Sequence, residues 1–342
     1  MSGELEPVRD HRLPSPVVPA APAVPSTSVV PSTSVVPSTS VVPSTSVVPS
    51  TSVVPSTSVV PSGPGGLAGL VSGLAADLAE AARFVERRLS GQAPTDVFGY
   101  DAELAHAVLA PLLRPLARSW FHVDVQGLEH IPAHGAALVA ANHSGVLPWD
   151  ALMIALAVHD RQPGGRALRL LGADLLFTLP VLGELARRGG ATLARVDDAE
   201  RLLAAGELVG VFPEGFRGIG KPYSERYRLQ RFGRGGFVSV ALGAGAPIIA
   251  CAVVGAEGAH PLLADVPDLA RRLGWPYFPI TPTFPWLGPL GVVPLPGRWT
   301  IRFAPPLPTA GRRAEPGVVE ELTEQVRGTV QAMIDDIRGT AA

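Results

Sequence analysis

The sequence predicts an α/β fold, a mostly parallel central sheet flanked by helices, and three observations predict it. From residue 121 onward, short apolar runs alternate with stretches of helical periodicity, the pattern of strands joined by helical crossovers. The runs Ala136–Ala141, Leu208–Phe212 and Pro247–Val254 lack polar alternation, as strands covered on both faces do. Glycine, proline, asparagine and aspartate punctuate the ends of these runs.

Taken in order, residues 1–63 stand apart from that pattern. Residues 25–60 are six copies of Pro-Ser-Thr-Ser-Val-Val, with proline at every sixth position and no charge. Such a segment cannot bury a core and is expected to be a disordered, partly extended tail. Residues 64–120 are expected to hold amphipathic helices. Leu67, Leu70, Val71, Leu74, Leu78, Phe84, Val85 and Leu89 share one face, opposite Asp77, Glu80, Arg83 and Glu86. A second helix is expected over Ala105–Trp120, carrying Arg114 and Arg118. Either helix packs on the core or lies on a bilayer surface.

The α/β domain is placed at 121–342. Phe121–Gly127 alternates and reads as a strand, and Ala136–Ala141 is a buried strand delivering the chain to Asn142. Helix 151–159, strand 168–172 and helix Leu175–Arg188 follow. Strand Leu208–Phe212, helix 234–243 and strand Pro247–Val254 repeat the alternation. Strand Trp299–Ala304 and an amphipathic helix over Pro316–Arg338 complete it. Ligands of such sheets gather at the carboxyl ends of the strands.

Bulk properties narrow the function. With 342 residues and 46% hydrophobic content, the chain can build one sizeable domain or two small ones. A net charge of −2 offers no whole-molecule field, so electrostatic recognition must be local. The single cysteine, Cys251, excludes an internal disulfide framework and reads as a buried strand residue. Residues 1–24 mix charge and proline, so no signal peptide is expected. Phe237–Ala256 is uncharged but broken by Gly243, Gly245 and Pro247, and Trp275–Gly297 holds seven prolines; neither is expected to span a membrane. No His/Cys set has metal-ligand spacing, so no metal is predicted. No Gly-x-Ser-x-Gly elbow is present.

Two stretches carry the chemistry. Asn142-His143-Ser144-Gly145-Val146-Leu147-Pro148-Trp149-Asp150 puts an imidazole and a carboxylate in one loop after a buried strand. A hydroxyl attacks an acyl carbonyl slowly unless a base takes its proton, and histidine suits that task near neutrality. Asp150 is placed to hold the distal ring nitrogen, or to cap helix 151–159, and its two oxygens allow both. Sixty residues on, Phe212-Pro213-Glu214-Gly215-Phe216-Arg217 follows another buried strand. Glu214 either binds an acceptor hydroxyl or holds the loop through backbone N–H groups. From Arg217 to Arg234, six cations (Arg217, Lys221, Arg226, Arg228, Arg231, Arg234) face only Glu225, a local excess of +5. Such a run is a solvated surface or an anion attractor. Without aromatic interleaving or a recognition helix, nucleic acid is not expected as a partner. The charge-free, aromatic segment Trp275–Gly297 suits a membrane interface, the mouth of an acyl-chain pocket, or a simple packed loop.

Together these blocks resemble the glycerolipid (lysophospholipid) acyltransferase superfamily. Asn142-His143 through Asp150 looks like its first block, and Phe212-Pro213-Glu214-Gly215 with Arg217 looks like its third. Pro180–Arg195, with Gly183 and Arg187-Arg188-Gly189, is similar to the second block. Pro247-Ile248-Ile249 is similar to the fourth, with Ala250 where a proline is usual. The resemblance spans roughly 120–310. It implies acyl transfer from acyl-CoA or acyl carrier protein to a lipid hydroxyl, with no bound cofactor and no covalent acyl-enzyme. His143 would be the general base and Asp150 its partner. Asn142, Glu214, Gly215, Arg217 and Arg195 would contact substrate, and N–H groups near Gly145 or Gly215 would face the oxyanion. The implied setting is peripheral, at the cytoplasmic face of the cell membrane. One departure is informative. The family pattern has four residues between histidine and aspartate, and this chain has six. That spacing looks like the mono- and diacylglycerol acyltransferase branch, which brings a neutral glyceride forward as acceptor beside a lysophospholipid. Two other functions fit the same residues: a lipid thioesterase or hydrolase, and a non-catalytic lipid-binding protein.

Overall fold

Residues 86–87, 95–275 and 277–340 are described by the computed structural model of the chain. The expected tail at 1–63 lies outside the described residues, as does the helix expected over 67–89 apart from helical Glu86 and Arg87. The chain divides into two units, Met1–Leu67 and Ala68–Ala342, and the fold belongs to the second.

Strands in chain order are β1 (Asp124–Gln126), β2 (Ala137–Ala141), β3 (Leu168–Gly172), β4 (Thr192–Leu193), β5 (Leu208–Val211), β6 (Ile248–Val254), β7 (Ala264–Asp265), β8 (Pro279–Ile280) and β9 (Thr300–Phe303). Among the described residues, seven of these form one sheet in the order β1-β9-β6-β2-β5-β3-β4. Its pairs are parallel except β6 with β9, and the antiparallel β7–β8 pair stands separately. The expected mostly parallel sheet is therefore present. Its β1–β9 edge runs against the remaining strands.

Register sets up the site. Ala140 pairs with Val211, and Ala141 with Cys251, so the loops after β2, β5 and β6 emerge together at one edge. Alternation along β6 decides the two cores. Ile248, Ala250 and Ala252 pack on one side with Leu202, Val238, Leu322 and Val326. Ile249, Cys251 and Val253 pack on the other with Met153, Ile154, Phe121 and Trp299. Burial pushes the Cys251 thiol up, so this sulfur is inert packing, as its apolar surroundings suggested.

Helices cover both faces. The first, α1, runs from Ala102 to Trp120 and begins where Asp101 accepts the Leu104 N–H at 2.9 Å. It widens into π turns over Ala105–Leu109 and Leu116–Trp120, flanking a segment in which Pro111 and Pro115 lack an N–H to donate. The second, α2, spans Trp149–Arg161. Beginning before residue 151, it puts Asp150 inside its first turn instead of at the expected cap position, where a carboxylate still complements the helix dipole.

The single helix expected over Leu175–Arg188 is two, α3 (Asp174–Thr178) and α4 (Leu182–Arg188). Pro180 supplies no N–H, and Val181 takes a positive φ of 64° between them. A helix not foreseen, α5 (Val196–Ala204), buries Ala199, Leu202 and Leu203 beneath a charged outer face. Then come α6 (Phe216–Ile219), α7 (Gly236–Ala244), α8 (Pro267–Leu273, also unforeseen) and the long α9 (Pro316–Thr340). No helix among the described residues is long and apolar enough to cross a membrane.

Candidate active site

The loop from β2 to α2 closes on itself through one buried carboxylate. Asp150 has 0% exposure. Its Oδ2 accepts from His143 Nδ1 at 2.7 Å and from the Ser144 N–H at 2.8 Å, while Oδ1 accepts from the Ala151 N–H at 2.7 Å. A carboxylate on Nδ1 requires the proton to sit there, which leaves Nε2 as the basic nitrogen. No hydrogen bond to Nε2 is present among the described residues, and the His143 side chain is 13% exposed. Phe212, the first residue of the second motif, stacks on the imidazole with centroids 4.3 Å apart. The ring is thus held on two sides and open at one edge.

Glu214 ties the two motifs together. Its Oε1 accepts the backbone N–H of His143 at 3.0 Å. Its Oε2 accepts the Gln230 N–H at 2.6 Å and lies 3.4 Å from Lys221 Nζ, which also donates to the Arg228 carbonyl at 2.8 Å. Both Glu214 and Lys221 are buried. Close approach here depends on Gly218, because a Cβ at that position would come within 2.9 Å of the Cβ atoms of both Glu214 and His143. Gly215 makes the turn, with φ 57° and ψ −144°, a conformation that side chains disfavour.

Asn142 fastens the loop to the next strand. Its Oδ1 accepts the Val253 N–H at 2.7 Å, and its Nδ2 donates to the Val253 carbonyl at 2.9 Å and to Ser144 Oγ at 3.0 Å. Ser144 Oγ in turn donates to Glu257 Oε1 at 3.1 Å, and Glu257 Oε2 accepts the Gly255 N–H at 3.1 Å. Burial pushes the Glu257 carboxyl up from its ordinary value, with backbone hydrogen bonding and Lys221 opposing the shift. Sequence reasoning missed Glu257. The signal available was positional, since it follows β6 by three residues as Glu214 follows β5, with His143 two residues past β2.

His143, Asp150, Asn142 and Glu214 are therefore brought together, with Gly215 at the rim. Arg217, in α6 just past Gly215, is exposed. Arg195 is not joined to this network by any hydrogen bond or ion pair among the described residues; it precedes α5 and lies 3.6 Å from Asp174. The basic run also divides. Lys221 is inside, and Arg226 lies 4.4 Å over the Tyr223 ring. Arg217, Arg228, Arg231 and Arg234 face outward.

Comparison with known proteins gives this geometry its family. A family model described as Acyltransferase matches residues 122–254, which include both motifs and β6. An uncharacterized protein of Mycobacterium tuberculosis is 55% identical over 262 residues, covering 75% of this chain and 73% of its own. The human "DGAT1/2-independent enzyme synthesizing storage lipids" is 27% identical over 238 residues, covering 68% of this chain and 66% of that one. Among solved structures, the 1-acyl-sn-glycerophosphate acyltransferase of Thermotoga maritima aligns with a TM-score of 0.47 and 20% identity, covering 68% of this chain and 81% of that one. With the family model lying over the His143 and Glu214 loops, the chain belongs to the glycerolipid acyltransferase superfamily and is an acyltransferase, acting between an acyl donor and a lipid acceptor.

Proposed function

We propose that this acyltransferase moves a fatty acyl group from the thioester of acyl-CoA or acyl carrier protein to a hydroxyl of a glycerolipid, at the cytoplasmic surface of the cell membrane, with His143 as general base. One observation carries the reading: the buried Asp150 carboxylate on Nδ1 at 2.7 Å, with the opposite ring edge free. In this mechanism Nε2 takes the acceptor's hydroxyl proton as the oxygen attacks the thioester carbonyl. Asp150 stabilises the imidazolium that forms. The collapsing intermediate expels the thiolate, which leaves as the thiol by recovering the proton from His143. No acyl-enzyme is needed.

The remaining residues divide by what their polar atoms already do. Asn142 and Glu214 have theirs engaged inside the loop frame, so we assign them to positioning His143 in place of the substrate contacts expected from the resemblance. The Gly215 N–H is spent on the Phe212 carbonyl at 3.0 Å. The Gly145 N–H, with no partner among the described residues, is the better oxyanion donor of the two. Arg217, exposed beside Gly215, is assigned to an anionic group of acceptor or donor, and Arg195 to a more distant part of a substrate.

For the acceptor, the six-residue spacing between His143 and Asp150 and the name of the human relative both favour a neutral glyceride. The test is incubation of the full chain with labelled acyl-CoA against lysophospholipids, monoacylglycerols and diacylglycerols. Acylated product that requires an acceptor supports transfer. Free fatty acid released at the same rate with and without acceptor would instead make the protein a thioesterase.

A further inference from the structure

We infer that the segment from Trp286 to Val293 is a membrane wedge, inserting apolar side chains into a bilayer that contains anionic phospholipid. This names the surface by which the proposed enzyme meets its lipid, and it rests on the reading that transfer occurs at a membrane.

The observations concern one stretch of chain with two opposite characters. Its outer side is apolar and open: Trp286 is 72% exposed and Leu290 67%, with Leu287, Val292 and Val293 also exposed. Surface loops ordinarily present polar groups, and an apolar cluster of this kind marks an interaction surface. Its inner side is polar and anchored by hydrogen bonds. Thr281 Oγ1 accepts the Phe284 N–H at 2.9 Å, and Thr283 Oγ1 donates to the Gly291 carbonyl at 3.2 Å. His260, itself buried, donates from Nε2 to the Val292 carbonyl at 3.2 Å, and Trp120 Nε1 donates to the Pro294 carbonyl at 2.9 Å. Gly291 packs so closely that an added Cβ would lie 2.8 Å from the Phe284 Cβ. The apolar tip is therefore held outward by its base. A loop free to collapse would turn these side chains inward.

Charge points to a bilayer as the occupant. No charged residue occurs from Trp275 to Gly297, while Arg271 and Arg272 precede that segment and Arg298 follows it, all exposed. Asp268 offsets Arg271, and along the sequence Arg272 and Arg298 bracket the uncharged segment. An uncharged aromatic stretch bracketed by cations matches the layering of hydrocarbon and anionic headgroup. The same segment reaches the catalytic loop, because Tyr277 donates to the Val146 carbonyl at 2.8 Å. Seating the tip in lipid would bring the His143 loop to the interface where acceptor and acyl chain reside.

The test uses the full chain and vesicles of phosphatidylcholine containing phosphatidylglycerol, with and without brominated acyl chains. The inference expects brominated lipid to quench the wild-type tryptophan emission. Trp286→Phe should keep vesicle partitioning and lose part of that quenching. The double variant Leu287→Ser/Leu290→Ser should partition roughly ten-fold more weakly or worse. Its transfer to a short-chain acceptor dissolved without vesicles should be unchanged. Wild-type partitioning in the double variant, or no quenching of Trp286, overturns the wedge. So does a change of oligomeric state in that variant at unaltered partitioning, which would make the apolar tip a contact between two copies. Because vesicle binding needs no turnover, a wild-type protein that inserts Trp286 but transfers nothing would refute the catalytic reading and leave this one standing.

Discussion

The loops after β2 and β5 begin alike and end differently. Each leaves a buried strand at the same sheet edge and carries a buried carboxylate within its first residues after the strand or the first turn of the helix behind it. Asp150 spends one oxygen on a side chain that can do chemistry, whereas Glu214 spends both on backbone N–H groups and a lysine. The first loop leaves a basic nitrogen free. The second leaves no polar atom of its carboxylate unengaged and offers only an exposed Arg217. The lesson is that a carboxylate in a motif is assigned by what already occupies its oxygens.

Substitutions can break or sharpen that contrast. The largest effect is expected from Asp150→Asn, which puts an amide where Nδ1–H needs an acceptor. Transfer rate at saturating acceptor should fall by roughly 10² to 10⁴-fold. A rate near wild type would erase the distinction between the two loops. Glu214→Gln comes next, and its main signature is stability. Losing half of a buried ion pair with Lys221 should lower unfolding free energy by about 3 kcal/mol in urea titration. A cost under about 1 kcal/mol would mean that the carboxylate is not what fastens the loop.

Arg217→Ala sharpens the comparison from outside. The KM for a phosphate-bearing acceptor should rise about ten-fold, with kcat on neutral glycerides unchanged. Raised salt should mimic the substitution in wild type. Equal KM values would place anion recognition elsewhere. The smallest effect is a control at the far end of α2. Burial first, and then neighbouring His106 at 3.2 Å, hold His159 below its ordinary value of 6.5. The unfolded chain therefore binds this proton before the folded one does. The group's contribution is present above 6.5 and is lost as pH falls below it toward the lowered folded value. Replacing His159 by Gln should flatten that acid limb of the stability curve and leave transfer at neutral pH alone. An unchanged limb would show that His159 does not titrate with folding.

Much of this was legible in the sequence, for reasons visible in particular residues. β2, β5 and β6 are apolar throughout because helices cover both faces, and their ends fall where His143 and Glu214 follow. The His143–Asp150 pair was readable because both ends of a short loop carry it. Other elements were hidden. α5 buries only Ala199, Leu202 and Leu203, and its Asp197, Asp198, Glu200 and Arg201 gave the stretch the look of a charged loop. The leucines of α3 and α4 keep one helical period across Pro180, which concealed the break. Glu257 was marked only by its place just after β6, since its partner Ser144 lies 113 residues away. Only the sheet register joins them. The antiparallel sense of β9 against β6 was likewise invisible, because a buried strand has the same composition in either direction.

The most direct measurement is the steady-state transfer rate of His143→Ala beside wild type, on the best acceptor of the panel, with both proteins shown to unfold at the same urea concentration. A ring whose Nε2 takes the acceptor's proton predicts a loss of about a thousand-fold. A folded variant within a few-fold of wild type would contradict the assignment of that base.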